Sequence, residues 1–332
     1  MASPQMQPSM LSILVTFLCI SGTFVFGQYA NFNKLELPQG VTGPGSVTFG
    51  GLLASGPFTT VTDGRIMKWL GPTLGFVDFA YTSPTRTKQY CDGTTDPDKG
   101  PTCGRPLALS YHPVTGLLYI VDAYLGLLVV GPLGGCATQL AGGFKFANGL
   151  DIDLLTGHIY FSDASLTYTI RDATQPGFIP DSTGRLLRYE PLTGHVSVLL
   201  SGLSGGGGPV VSSDGTFVLV PELGSTRISK YWLVGPKENT AEVLLNTNGN
   251  PNKIKRGETP GEFWVATSRV GYMPPTPVIL PEGVRFNSDG DVLETVGFVT
   301  EFSSNVTSLV VQHEGKLYVG SHFTNFIGVY YN

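Results

Sequence analysis

Few side chains in this sequence could do chemistry, and those few are scattered. Lys253, in NPNKIKR, carries an amine that could form an imine with an aldehyde or hold a carboxylate, and desolvation would lower its pKa. Ser308, in NVTSLVV, and His322, in GSHF, could act as nucleophile and base. Asn148, in FANGLD, adds a polar amide. Each also has a plainer use: the lysine can snorkel to solvent, the serine can bond to backbone, and the imidazole can serve as a wall. No CxxC is present and the five His are dispersed, so no zinc spacing arises.

A recurring turn, a glycine and then an apolar strand must position these groups. The copies are SGPFTTVT, TGLLYIVD, TGHIYFSD, DGTFVLVPE, PGEFWVATS and EGKLYVGS, with glycines at 56, 116, 157, 215, 261 and 315. A short strand precedes each copy, and one or two more follow. Three or four short strands at a period of about fifty residues mark a propeller blade. Six copies predict an all-β, six-bladed β-propeller with a central channel. Innermost strands line such a channel, and ligands sit at its mouth. Asp122, Asp163 and Glu222 each end the second strand of a blade, where a carboxylate is expected to bond loop amides and lock adjacent blades.

Gly and Pro together number 68 of 332 residues, and apolar residues make up 41%, which suits a turn-rich globular chain. The net charge is −5 and no basic run exceeds a pair, which excludes a phosphate-neutralising stripe and electrostatic docking on anionic membranes. The uncharged apolar run Met10–Phe26 with Gly27 predicts a signal peptide over residues 1–27, followed by one domain over 28–332. The alternative is an uncleaved anchor. Cleavage implies the secretory pathway, with the vacuole or the extracellular space as destination and no membrane contact afterwards. Cys19 lies in this segment. Cys91 and Cys103 flank the polar loop DGTTDPDKGPT and are expected to form a disulfide in an oxidising lumen, worth about 3 kcal/mol. Cys136 is then expected in a core as a small hydrophobe. Asn305-Val306-Thr307 is a glycosylation sequon whose face the sequence leaves open.

Several stretches go beyond a generic propeller. They include DGRIMKWLGPTLGFVDFAYTSP, the loop ending in Cys103-Gly104-Arg105, LYIVDAYLGLLVVGPLGG, STGRLLRYEPLTG, ISKYWLVGPKENTAEVLL and PEGVRFNSDGDVLE. Together they resemble the plant strictosidine synthase and strictosidine-synthase-like family over essentially all of residues 28–332. The resemblance implies a six-bladed propeller, a cofactor-free vacuolar setting and condensation of tryptamine with the aldehyde secologanin. That chemistry needs one buried general acid/base. The family carries it as a Glu on the inner strand of the last blade, and Ser308 stands at that position. A serine exchanges no proton near neutral pH without a separate base. The implied substrate lining differs as well. Asn148 and Leu223 stand at the indole-gripping Tyr and Phe positions, Leu107 at a further Tyr, and Val306 at a pocket His. Phe146 and Phe323 keep aromatic character. The resemblance therefore implies a relative without true synthase activity, binding or converting a small apolar metabolite.

Calcium-dependent lactonases and paraoxonase-like hydrolases are wider propeller relatives. Their metal positions correspond to Gly45, Asn148, Gly207, Asn252 and Lys253, of which only the two Asn could ligate. No metal and no cofactor is expected. If active, the chain would be an amine–aldehyde lyase or a metal-independent hydrolase. The alternatives are a non-catalytic binding propeller and a scaffold in extracellular or pollen-wall assembly. The expected partner is a small molecule, with no nucleic acid.

Overall fold

All six repeat glycines adopt the left-handed backbone region, with φ between 70° and 105°. Each sits in the turn between the first and second strands of a sheet. Gly56 shows why: a Cβ there would collide with the carbonyl of Trp69. The computed structural model describes residues 29–51, 56–273, 275–303 and 305–332. The expected signal peptide, with Cys19, lies outside them.

The sheets are the six blades of a β-propeller around a central channel. Blade 1 comprises Val47–Phe49, Pro57–Thr60, Arg65–Trp69 and Phe76–Tyr81. Blade 2 comprises Pro106–Tyr111, Leu118–Asp122, Gly126–Val130 and Thr138–Ala141. Blade 3 comprises Ala147–Ile152, Ile159–Asp163, Gly184–Glu190 and His195–Leu203. Blade 4 comprises Val210–Val211, Phe217–Glu222, Arg227–Trp232 and Ala241–Asn246. Blade 5 comprises Asn250–Arg256, Glu262–Met273, Thr276–Asn287 and Val292–Gly297. Blade 6 takes Leu309–His313, Lys316–Gly320 and Phe326–Tyr331 from the C-terminal end.

The fourth strand of blade 6 comes from the other end of the sequence. Asn31–Glu36 pairs antiparallel with Phe326–Tyr331, from Asn31 against Tyr331 to Glu36 against Phe326. This pairing closes the ring and covers an edge that would otherwise present free amides and carbonyls.

The core is divided by blade interfaces. Leu109, Leu118 and Ile120 of blade 2 meet Phe58 and Ile66 of blade 1. Trp264 and Ala266 of blade 5 meet Val310, Leu317 and Val319 of blade 6. Each of the six interfaces has such a cluster, so packing and ring closure support one another.

Cys91 and Cys103 form the expected disulfide. Cys136 corrects expectation: its thiol is free and exposed. It belongs to the short strand Gly135–Cys136, which adds parallel to the outer edge of blade 1 at Ala80 and Tyr81. An outermost strand has no further layer to bury its side chains.

Candidate functional site

Three segments outside the regular blades build a cavity of about 390 Å³. One is the disulfide-closed loop, which supplies Thr95 and Pro97. The second is the insertion in blade 3, which supplies Ile170 and Thr174. The third is the turn in blade 6 with His322 and Phe323. Thr42, Thr62, Arg105 and Tyr124 complete the wall. The size suits a small organic molecule.

Local chemistry fixes each wall. The disulfide loop is held by Gly93 N donating to Asp63 at 2.8 Å and by Thr62 Oγ1 donating to the Thr94 carbonyl. Tyr124 packs against Gly100, where any Cβ would strike its ring, and donates its hydroxyl to the Pro97 carbonyl at 2.8 Å. The short helix Ile170–Ala173 begins at Thr169, whose amide and hydroxyl both donate to Asp172. Arg171 of this helix pairs with Asp98 of the disulfide loop at 2.7 Å, so the insertion and the loop meet beside the cavity. That pair is exposed and contributes little energy.

Below the wall, His322 packs over Gly45. A Cβ at Gly45 would collide with the imidazole, only 1.9 Å from its Cε1, so the ring position requires this glycine. Lys253 stands behind it, with Nζ 3.5 Å from His322 Nε2 and 3.3 Å from Asn252 Oδ1, and is only 1% exposed. Gly208 makes room for its stem. Burial, reinforced by Lys255, lowers the Lys253 amine to about 7. Burial, then the charges of Lys253 and Arg105, hold His322 well below the usual imidazole range.

Ser308 is 1% exposed and has no hydrogen bond to His322 among the described residues. Its hydroxyl lies 2.9 Å from the Gly45 carbonyl and 3.2 Å from the Gly320 carbonyl. A hydroxyl donating to main-chain carbonyls is tied up structurally and has no base beside it to accept its proton. The Ser308–His322 pairing considered from sequence does not form.

Of the residues singled out from sequence, His322 and Phe323 line the cavity, and Phe323 is 62% exposed at its rim. Leu107 and Phe146 are buried one layer below, packed with Ala123 and Ala164 against Tyr124, Tyr168 and Ile170. They support the wall without forming it. Asn148 donates to the Gly206 carbonyl at 3.1 Å, and the Leu223 carbonyl accepts from Asn250 Nδ2. The Val306 carbonyl accepts from Ser321. Asn305 lines a neighbouring cavity of about 400 Å³ that shares Phe323, which places the sequon on the same face.

Sequence reasoning missed Arg105, Tyr124 and Ile170. Arg105 had a signal, because it comes two residues after Cys103, at the end of the disulfide-closed loop. Ile170 had none, since an insertion inside one blade breaks the repeat pattern.

The strand-ending carboxylates bond loop amides, but only one spans two blades directly. Asp122 accepts from Thr82 Oγ1 at the end of blade 1, and from the amides of Arg105, Tyr124 and Leu125. Asp163 takes the Phe146 amide and Arg185 within blade 3. Glu222 takes Arg227 and Ser229 of blade 4 and the amide of Ser204, in the linker from blade 3. Among the described residues, no group of three or more His, Cys, Asp or Glu is placed to hold a metal ion. At the lactonase metal positions, Gly45 and Gly207 offer no side chain, and a Cβ at Gly207 would strike the Asn252 carbonyl.

Residues 148–236 match the family model described as Strictosidine synthase. The chain is 39% identical over 326 residues to protein strictosidine synthase-like 12 of Arabidopsis thaliana, covering 97% of this chain and 95% of the relative. It is also 39% identical over 284 residues to strictosidine synthase of Catharanthus roseus, covering 82% and 79%. Among solved structures, a gluconolactonase from Xanthomonas campestris superposes with a TM-score of 0.62 at 14% identity, over 91% of this chain and 90% of that one. A calcium-binding regucalcin from Agrobacterium tumefaciens gives 0.62 at 12% identity, over 90% and 93%. At those identities the structural likeness concerns the propeller fold alone.

Proposed function

This chain belongs to the strictosidine synthase-like family, and on that premise we propose that it receives a small, largely apolar metabolite at the channel mouth without performing the glutamate-dependent condensation. The observation that carries this reading is the Ser308 hydroxyl, committed to the carbonyls of Gly45 and Gly320 where the family resemblance sets the catalytic acid. Three proton transfers of an amine–aldehyde condensation would then lack their shuttle. Among the described residues, the cavity wall has no carboxylate to replace it. His322 is the remaining wall base, and its surroundings disfavour the protonated form.

The test is mass spectrometry of the purified protein incubated with secologanin and a panel of amines. No condensation product is expected from the wild type, and product formation would overturn the reading. Ser308→Glu, assayed in parallel, asks whether the acid alone was lost. We further propose passage through the secretory pathway, in keeping with the apolar N-terminal run, the disulfide and the sequon at Asn305. A mobility shift on endoglycosidase treatment of the plant-expressed protein checks the sequon, and an unshifted band would count against its use.

A further inference from the structure

Among the described residues, Arg105 is the one permanently charged side chain in the cavity wall, and it makes no salt bridge: Asp122 and Asp63 lie near enough to favour its charge but neither contacts its guanidinium. Its Nη1 donates to the Thr62 carbonyl at 3.1 Å, and neither Nε nor Nη2 has a hydrogen-bond partner among those residues. The carboxylates of the neighbourhood are already engaged. Asp122 takes four donors, of which Arg105 contributes only its backbone amide. Asp63 is saturated by the Arg65 guanidinium and the Gly93 amide. Lys253 adds a second unpaired basic group behind His322. A partly buried guanidinium with no anion bonded to it is costly, and a planar fork whose Nε and Nη2 are free matches a carboxylate. The same wall also carries Ile170, Phe323 and the ring of Tyr124, which offer apolar surface.

We propose that the cavity is a receptor for an organic monocarboxylate, whose carboxylate is taken by Arg105 and whose hydrocarbon body rests on Tyr124, Ile170 and Phe323. This rests on the reading of the channel mouth as the ligand site and adds the charge of the ligand. The same wall repels an ammonium group, so amines of the kind the family resemblance implies are selected against.

The experiment compares phenylpropanoate, phenylpropanamide and phenylpropylamine by isothermal titration calorimetry on the purified full chain. These probes share one apolar body and differ in charge. The acid should bind at least about tenfold more tightly than the amide, with the amine weakest, as a charge-assisted pair demands. Arg105→Gln should erase the preference for acid over amide while leaving amide binding in place. Thr95→Glu places a competing carboxylate in the same wall and should have the same effect with Arg105 intact, which keeps the test decisive if Arg105→Gln folds poorly. Equal binding of acid and amide, or a preference that survives either variant, would overturn the carboxylate assignment and leave the cavity as a ligand site. Absence of binding by all three would overturn both.

Discussion

Lys253 and His322 place two basic nitrogens, Nζ and Nε2, 3.5 Å apart beneath the channel mouth, with no carboxylate paired to either among the described residues. Burial opposes the protonation of both, Lys255 adds to it for Lys253, and the Lys253 charge adds to it for His322. The arrangement makes this part of the channel sensitive to pH in a direction that can be stated.

The Lys253 amine titrates at about 7 in the folded protein, against 10.5 ordinarily. Between those values the unfolded chain binds a proton that the native chain does not. Stability therefore rises with pH through that window, and the full penalty is present below it. Lys253→Met removes the term. Its melting temperature should exceed that of the wild type by several degrees at pH 6 and converge with it near pH 10. Melting curves across that range check this, and a parallel pH profile for the variant would show that Lys253 is solvated.

Gly45 and His322 form a second coupled pair. Gly45→Ala drives a methyl group into the imidazole, and the ring must leave the channel or the backbone must shift. Overpacking of this kind costs about 1–3 kcal/mol. Urea denaturation should show that loss. The double variant with His322→Ala should recover most of it, because the collision partner is gone.

Ser308→Ala deletes a hydroxyl whose partners among the described residues are two carbonyls, and should cost about 1 kcal/mol with no change in ligand affinity. Ser308→Glu sets a carboxylate against those same oxygens, so a loss of about 2 kcal/mol or more is expected, easing as the acid protonates at low pH. Calorimetry of both variants distinguishes a structural serine from a functional one. A large affinity loss in Ser308→Ala would contradict the structural role.

The disulfide closes a loop that carries two residues of the cavity wall. Replacing Cys91 and Cys103 together by Ser should destabilise the protein by about 3 kcal/mol. It should also free Thr95 and Pro97 from the wall, weakening ligand binding by more than the stability loss implies. Limited proteolysis should cut between residues 92 and 102 in the variant and not in the wild type.

Much of the fold could be read along the chain. The six glycines signal their turns because a left-handed backbone tolerates few other residues, and the alternating strands signal blades because inward positions must be apolar. The Cys91–Cys103 pair was equally legible, being two cysteines around a short polar loop. Cys136 was misjudged because its residue type says nothing of which edge its strand would join. Asn31–Glu36 carried no repeat signature, and its partnership with Phe326–Tyr331 depends on the geometry of ring closure across nearly the whole sequence.

The candidate site divides in the same way. Sequence alone offered Ser308, through the family resemblance, and Lys253 and His322 as unusual polar residues of the inner strands and turns. Their surroundings are decided in three dimensions. Lys253 meets His322 because blades 5 and 6 converge on the axis, and Ser308 faces two carbonyls because Gly45 and Gly320 pass close to it. Arg105, Tyr124, Ile170 and Phe323 share one cavity only because a disulfide loop, an insertion and a turn from different blades meet at one end of the channel. Local patterns in a chain report local backbone and burial preferences, whereas the charge and shape of a cavity are sums over segments that folding alone brings together.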